Sequence, residues 1–405
     1  MTALQLLAYI ATAIGLQCLL AIAILIWRKR TTVAEHAVPV VSARTSEAAW
    51  DGLRAFQVTA RTYEDLAHTQ CTLALAPVDN APLPPFKPGQ FLTFSLAVDG
   101  PQMPTRVTRC YSLSDTPDPD QYRITVKRAL APPDKPDAPA GIASGWLHDQ
   151  VRIGTLLDVR APSGQFIFVD DPKSPPVFIA GGIGITPILS MLKAALADQP
   201  ERAAHLFYGV RNSQDHAFKT DLRQLADVHP GLALHILYAD PTAQDVQGQD
   251  HDLPGFISLD LLKQTLPYGR HAFYICGPDP MMKALIPALL GWGVADADIH
   301  RESFGPQTAA PRPVASPVAG PTLAIRFRRS GRTLDWAGRD ANLLDFAEHN
   351  SIAVDAGCRG GSCGTCETRL ISGRVQYAAK PEFDISPGHC LLCVATPTTA
   401  LELDA

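Results

Sequence analysis

Five of the nine cysteines in this chain, Cys358, Cys363, Cys366, Cys390 and Cys393, crowd toward the C-terminus, while Cys18, Cys71, Cys110 and Cys276 are scattered. The dense run reads Cys358-Arg-Gly-Gly-Ser-Cys363-Gly-Thr-Cys366, with a later thiol from Cys390 or Cys393. A spacing of four residues, then two, then a distant fourth thiol suits a [2Fe–2S] cluster, because small residues let the loop wrap the cluster and aim N–H groups at its sulfurs. Structural zinc sites use cysteine pairs closely spaced on both sides, which this run lacks. The distribution also argues against a disulfide framework and for a reducing compartment. Whatever else the chain does, its last part must fold around this loop.

At 405 residues the chain is too long for one ordinary core, and two or three globular units are expected. A formal charge of −5 gives no reason to expect nucleic acid as a partner. The 35 prolines cluster, marking linkers and loops. Ala3 to Trp27 is almost continuously apolar, followed at once by Arg28, Lys29 and Arg30 with no basic residue before it. Such a run is long enough as a helix for a hydrocarbon core of roughly 30 Å, and the positive-inside rule puts the chain beyond residue 30 in the cytoplasm. A cleaved signal peptide would carry its charges ahead of the run. The expectation is a single-pass inner (cytoplasmic) membrane protein anchored over residues 1–30, with a tether over 31–49.

From Phe56 onward the pattern is short strands broken by Pro and Gly, as in Phe56-Gln-Val-Thr-Ala-Arg and in Pro88-Gly89-Gln90 leading into Phe91-Leu-Thr-Phe-Ser-Leu. This predicts an antiparallel barrel. Within it, Arg109-Cys110-Tyr111-Ser112-Leu113-Ser114 combines a cation for a pyrophosphate, an aromatic face for a flavin ring and a small hydroxyl for its edge. Strand alternation puts Arg109 and Tyr111 on one side. With Tyr122–Arg128, Gly141–Asp149 and Gly154–Phe166, the stretch resembles the flavin domain of the ferredoxin–NADP reductase superfamily, and closely the reductase part of flavohaemoglobins. The resemblance implies that Arg109, Tyr111, Ser112, Leu113 and Lys127 hold the flavin, and that Gly141 and Ser144 open a helix onto its pyrophosphate, where unpaired N–H groups attract phosphate. An adenylate half implies FAD rather than FMN, although residues 177–191 also look like the FMN-using phthalate dioxygenase reductase.

Pro176-Val-Phe-Ile-Ala-Gly181-Gly182-Ile-Gly184-Ile-Thr186-Pro187 is an apolar strand entering a glycine turn and then a helix, the arrangement that lets a backbone approach a pyrophosphate. Strands and helices alternate from there to Ile299-His-Arg-Glu302-Ser-Phe304-Gly305, which predicts a parallel sheet covered on both faces. The superfamily resemblance implies that Gly182, Gly184, Thr186, Cys276, Gly277 and Pro278 flank the nicotinamide, with Glu302 and Phe304 beside the flavin. Tyr111, Ser112, Thr186, Cys276, Glu302 and Phe304 are therefore the candidate catalytic group. Cys276 on its own reads as a buried core residue that shapes the nicotinamide pocket. Arg211 has no basic neighbours in Asn212, Gln214 and Asp215, so NADH is expected over NADPH.

Pro306 to Pro321 has almost no core-forming residues and reads as a semi-extended spacer. Beyond it, Leu391-Leu-Cys393-Val-Ala-Thr-Pro resembles the plant-type ferredoxin segment that carries the last cluster ligand, which selects Cys393 and gives the set Cys358, Cys363, Cys366 and Cys393. The expected architecture is thus multidomain: a transmembrane helix (1–30) and tether (31–49), a FAD-binding β-barrel (50–170), an α/β NAD(P)-binding parallel sheet (171–305), a Pro-rich linker (306–321) and an α+β β-grasp ferredoxin domain (322–405).

These parts make sense in series. NADH gives two electrons as hydride and a [2Fe–2S] cluster takes one at a time, so a flavin must stand between them. The domain order looks like that of phthalate dioxygenase and phenylacetyl-CoA oxygenase reductases, which implies a partner oxygenase or other redox acceptor. NADH:quinone or cytochrome electron entry at the membrane is a second reading, and a redox sensor without turnover is a third.

Overall fold

The computed structural model describes residues 49–405 apart from 51, 99–104, 132–136, 138–139, 198–200, 305–321, 379 and 382. Three sheets organise it. Strands β1 (Arg54–Tyr63), β2 (Gln70–Pro77), β3 (Phe91–Val98), β4 (Thr105–Ser112), β5 (Tyr122–Lys127) and β6 (Leu156–Ser163) form a six-stranded sheet in the order β4-β3-β6-β1-β2-β5. Its neighbouring strands are antiparallel. The two outer strands meet through an antiparallel bridge between Leu113 and Ile124, with Ser114 N–H donating to the Arg123 carbonyl at 2.9 Å, and this closes the sheet on itself. Closure removes the exposed edges that an open sheet would leave. Phe56, Leu75, Phe94 and Ile124 are fully buried inside, and side chains of this size each contribute roughly 1.5–3 kcal/mol on burial. Helix α1 (Ile142–Asp149) packs Ala143 and Leu147 onto that core.

The second sheet is wholly parallel, in the order β10-β9-β8-β7-β11-β12. It consists of β7 (Pro176–Gly181), β8 (Ala204–Val210), β9 (Leu232–Tyr238), β10 (Leu253–Pro254), β11 (Ala272–Gly277) and β12 (Ile299–Ser303). Helices α2 (Ile185–Ala197), α3 (Lys219–Val228), α4 (Leu259–Thr265) and α5 (Asp279–Trp292) connect the strands. Every residue of β7 and β11 is buried, as expected where helices cover both faces of a parallel sheet. The chain winds outward from β7 to β10 and then returns to β11, so the strand order reverses between β7 and β11. A crevice at the C-terminal ends of the strands opens at such a reversal.

Among the links that tie barrel to sheet, two gather several contacts each. The Tyr274 hydroxyl donates to the Val169 carbonyl at 3.1 Å and accepts from Val169 N–H at 3.2 Å, while its ring lies among Phe166, Phe168 and Phe178. Asp115, at the mouth of the barrel, accepts from Lys193 at 2.8 Å and from Arg123 at 2.8 Å, and its carbonyl accepts from Ser190 at 2.6 Å. These cations hold the Asp115 carboxyl below its ordinary value although burial pushes the other way.

The third sheet is mixed, in the order β14-β13-β19-β15-β17. It is built from β13 (Leu323–Phe327), β14 (Arg332–Trp336), β15 (Glu367–Ser372), β17 (His389–Leu391) and β19 (Leu401–Leu403), with β16 (Val375–Tyr377) and β18 (Ala395–Pro397) paired separately. Helix α6 (Leu343–His349) lies on it through Leu343, Leu344 and Phe346. Asn342 caps that helix by accepting from Asp345 N–H at 2.8 Å, which satisfies one of the donors a helix start leaves open.

The expected fold class is corrected in one respect. Among the described residues no helix is long and apolar enough to cross a membrane. The longest, α5, has 14 residues and carries Asp279 and Lys283, reaching only about 21 Å at 1.5 Å per residue. The anchor expected over 1–30 and most of the tether over 31–49 lie outside the described residues, as does the Pro-rich spacer from 306 to 321. The transmembrane helix, the single-pass inner-membrane placement and the membrane as a partner therefore find no support among the described residues.

Candidate functional site

A single cavity of about 1170 Å³ is lined from all three sheets. From the barrel come Phe91, the strand end Arg109–Ser112, Thr125 and Lys127, with Gly164–Phe166 beside them. The parallel sheet supplies Ile183, Thr186, part of α5, and Arg301–Phe304. The cluster loop supplies Gly357–Gly360 and Ser362. Among the predicted residues, Arg109, Tyr111, Ser112, Lys127, Thr186, Glu302, Phe304 and Cys358 therefore share one space.

Register explains the barrel's part. Strand β4 pairs with β3 so that Arg109 faces Phe94 and Tyr111 faces Leu92. Tyr111 stands edge-on to Phe94 at 5.6 Å between centroids, and burial pushes its phenol far above the usual tyrosine range. Ser112 is buried, and its Oγ has no hydrogen-bond partner. An orphaned buried hydroxyl costs about 1–3 kcal/mol, a cost that a flavin edge placed against it would relieve. Arg109 is exposed at the rim, donating only to the Thr108 carbonyl at 2.7 Å. Lys127 is 3.8 Å from Asp215. Two cations and an aromatic face fit an anionic dinucleotide.

Other predicted residues are placed away from the cavity. Leu113 is a core residue, fully buried. Ser144 Oγ donates to the Gly141 carbonyl at 3.1 Å and accepts from Ala129 N–H at 3.1 Å. A Cβ on Gly141 would collide with Ala129 and with that hydroxyl, so this pair fixes the start of α1. Gly141 carries no side-chain cap on that helix. Cys276 lies fully buried in the parallel-sheet core, and burial raises its thiol well above the ordinary value. That is the opposite of an activated nucleophile. Gly277 and Pro278 follow it at the top of β11 but do not line the cavity.

The two turn glycines divide the work. Gly182 adopts a positive φ of 53° with open space where a Cβ would be, whereas a Cβ on Gly184 would run into the Cys276 carbonyl. Gly184 thus lets β7 close on β11, and Gly182 leaves the turn bare. Thr186 is buried and donates from Oγ1 to the Ile183 carbonyl at 3.0 Å, holding the turn that precedes α2.

The thiols group in pairs. Cys358 N–H donates to Cys363 Sγ at 3.2 Å, while Cys358 Sγ accepts from Gly360 N–H at 3.3 Å, Ser362 N–H at 3.4 Å and Ser362 Oγ at 3.4 Å. Cys366 and Cys393 share a hydrogen bond, which lowers Cys366 and raises Cys393. Among the described residues no three such side chains converge closely enough for a single metal ion. Paired thiols with backbone N–H groups turned toward them fit a two-iron cluster, two thiolates to each iron. Cys390 is fully buried in the domain core and stands outside these pairs. Arg359, in a left-handed backbone conformation with φ 56°, anchors the loop to α6 through a two-point ion pair with Glu348.

Several lining residues went unnoticed in the sequence. Arg301 adjoins Glu302, and Lys283 sits one turn into the helix that follows Cys276-Gly277-Pro278, so both positions could have been flagged as flanks of named motifs. Cys110 could have been flagged as the odd thiol inside the flavin strand. Its Sγ lies 3.4 Å from Thr93 Oγ1, and hydrogen bonding with it is the chief cause that raises the Cys363 thiol.

Residues 178–286 match the oxidoreductase NAD-binding domain family, and residues 325–398 match the 2Fe-2S iron-sulfur cluster binding domain family. A flavohemoprotein of Rhodopirellula baltica is 39% identical over 261 residues, 64% of this chain and 62% of the relative. This chain therefore spans less than two thirds of that relative's length. The flavohem-like FAD/NAD binding domain of nitric oxide dioxygenase from Vibrio cholerae O1 biovar El Tor is similar with a TM-score of 0.54 and 32% identity, over 62% of this chain and 99% of that one. Phthalate dioxygenase reductase, a modular structure for electron transfer from pyridine nucleotides to [2Fe-2S], is similar with a TM-score of 0.52 and 25% identity, over 88% of this chain and 98% of that one.

Proposed function

The chain belongs to the ferredoxin–NADP reductase superfamily, NAD(P)H-dependent oxidoreductases, and carries a [2Fe–2S] ferredoxin domain at its C-terminus; from that premise we propose that it takes electrons from NADH through FAD to the cluster and on to a partner redox protein, an oxygenase component or similar acceptor. The reading divides the chain into a flavin barrel (50–170), a nucleotide sheet (171–305), a spacer (306–321) and a cluster domain (322–405). One observation carries it. The flavin strand, the nicotinamide turn and the cluster loop open on the same cavity, as a series of short electron steps requires.

Bound FAD would supply the exchange between paired and single electrons, and the bound cluster a one-electron store beside it. The chain's own residues do the rest. Arg109 and Lys127 offer positive charge to the dinucleotide, Tyr111 an aromatic face, and Ser112 a hydroxyl that water does not reach. Gly182 keeps the turn at the top of β7 bare for the nicotinamide nucleotide, and Thr186 fixes that turn. Glu302 and Phe304 close the cavity from β12. The start of α1 at Gly141–Ser144 favours FAD over FMN by giving a pyrophosphate somewhere to rest. Cys358, Cys363, Cys366 and Cys393 would hold the cluster. Past β8, Arg211 faces Asp240 at 3.8 Å, and a carboxylate there suits the free ribose hydroxyl of NADH better than the phosphate of NADPH.

Purified protein provides the test. Acid release of the flavin should yield FAD, iron and sulfide should be present in equal amounts, and anaerobic NADH should bleach the flavin and raise the signal of a reduced [2Fe–2S] centre. A colourless preparation, or zinc on the terminal thiols, would overturn the proposal.

A further inference from the structure

One carboxylate joins the two half-sites that must meet for electrons to enter. Asp115 follows Arg109–Ser114, three residues beyond the orphaned hydroxyl of Ser112. Its carboxylate accepts from Lys193 Nζ at 2.8 Å, and its carbonyl accepts from the fully buried Ser190 Oγ at 2.6 Å. Both partners lie on α2, the helix that leaves the Gly182–Gly184 turn and carries Thr186 at its start. Ser190 stands one helical turn beyond Thr186 on the same face. The path from flavin strand to nicotinamide turn is therefore three residues on one side and a single turn on the other. Asp115 is also fixed within the barrel. It accepts from Arg123 Nη1 at 2.8 Å, and the Arg123 carbonyl accepts from Ser114 N–H at 2.9 Å. Ser114 Oγ accepts from Thr125 Oγ1 at 3.0 Å, which meets Thr72 Oγ1 at 2.8 Å, all three hydroxyls being buried.

Other ties fasten barrel to sheet elsewhere. Gln70 Nε2 donates to the Asp215 carbonyl at 2.9 Å and Ala67 N–H to the Gln214 carbonyl at 3.1 Å, both past the end of β8, while Tyr274 holds the junction at Val169. Asp115 alone among these runs from the end of the flavin strand to the helix of the nucleotide turn. The Asp115–Lys193 pair has both side chains 21% exposed, and a pair open to water contributes little stability. Its place gives it another use. Hydride transfer carries one proton and two electrons from C4 of NADH to the flavin, leaving NAD+ and reduced flavin, and its rate depends steeply on how the two atoms are held. A misplacement of about 1 Å can cost about a hundredfold. We propose that Asp115 is a positioning residue for hydride transfer, which sets the spacing of the flavin strand and the nicotinamide turn through Lys193 and Ser190. No bond of Asp115 forms or breaks in the step. The proposal rests on NADH and a flavin being the reactants of this cavity.

Stopped-flow reduction of the full flavin-loaded chain by NADH provides the test, in wild type, Lys193→Met, Lys193→Arg, Ser190→Ala and Arg123→Met. Lys193→Met breaks the tie to α2 but leaves Asp115 paired with Arg123, and Arg123→Met does the reverse. Lys193→Met should slow flavin bleaching at saturating NADH by about tenfold, with flavin content and the half-saturating NADH concentration unchanged. NADH deuterated at the transferred position should slow that step further, and Lys193→Arg should restore most of the rate. Without NADH, amide exchange over residues 185–191 should quicken in Lys193→Met. Ser190→Ala should act in the same direction on rate and exchange, so a poorly folded Lys193→Met would not remove the test. Arg123→Met should lower the melting temperature at least as much as Lys193→Met yet change the bleaching rate less. Wild-type rates and exchange in both Lys193→Met and Ser190→Ala would overturn the proposal while the functional reading stands. So would equal slowing in Arg123→Met and Lys193→Met, or a slowed step without an isotope effect. A wild type whose flavin NADH does not bleach would instead remove the functional reading itself.

Discussion

The nucleotide crevice and the cluster loop border the same cavity, yet they are held in opposite ways. Around Gly182–Thr186 the backbone is fixed by the buried strands β7 and β11, and by a glycine chosen for the space between them. The turn would keep its form with nothing bound. From Ile352 to Cys366 the chain has neither helix nor strand; it is tied by N–H groups aimed at sulfurs and by the Arg359–Glu348 ion pair. Packing prepares the first region for its ligand, whereas the second depends on its ligand to satisfy what it points inward. Coupling of metal binding to local folding is the general result of such a design.

The sharpest way to break the contrast is to remove a thiol. Cys363→Ser should abolish the reduced-cluster signal and lower NADH-driven cytochrome c reduction by at least tenfold, while reduction of the flavin by NADH in stopped flow survives. Simultaneous loss of both would mean that the two regions are one cooperative unit. Iron chelation should likewise speed limited proteolysis between Ile352 and Cys366 and leave the parallel sheet uncut.

Next in size is Gly184→Val, which drives a side chain into the Cys276 carbonyl. Overpacking of this kind costs about 1–3 kcal/mol, and the loss should appear in the denaturation midpoint of the NAD-binding part. Gly182→Ala meets open space and costs only the strain of its positive φ, about 1 kcal/mol, so it should move that midpoint less. Equal losses in the two variants would show that the turn is not set by packing.

Arg109→Ala tests the electrostatic part. A charge-assisted hydrogen bond contributes about 1.5–3 kcal/mol, so flavin should dissociate roughly tenfold to a hundredfold more readily on dilution, with iron content unaffected.

The smallest effect concerns pH. Burial lowers His205 to about 4 and His216 to about 3 in the folded sheet, against 6.5 for the free side chain. The unfolded chain then binds more protons than the folded one between those values, so stability is complete above 6.5 and falls as the pH drops toward 4. His205→Gln should flatten the fall in melting temperature of the parallel sheet between pH 7 and pH 5.

The same contrast decides what could be read in advance. Cys358, Cys363 and Cys366 were legible because their chemistry lies in their spacing along the chain, and Cys393 was separable from Cys390 only through the ferredoxin likeness. The parallel sheet was legible because apolar strands such as Val177–Ala180 alternate with helices. Gly184, by contrast, carries no sign in the sequence that its neighbour is a strand more than ninety positions away. Thr108 carries no local sign that Gly357 of the cluster loop will lie against it. Leu113 and Ser144 were assigned to the flavin from motif position, and their packing, Leu113 in the barrel core and Ser144 Oγ at the start of α1, could not be read there. Contacts across sheets are long-range facts, and a local pattern cannot carry them.

Tyr274 hydrogen-bonds both backbone groups of Val169, and the effect reaches beyond the strength of two bonds. The residue works as a rivet through the corner where one lobe becomes the next, tying the start of one to the central strand of the other. A nucleotide entering the crevice meets a floor whose tilt toward the flavin strand is already settled. Alignment of donor with acceptor is then inherited from the scaffold and need not be found afresh at each turnover.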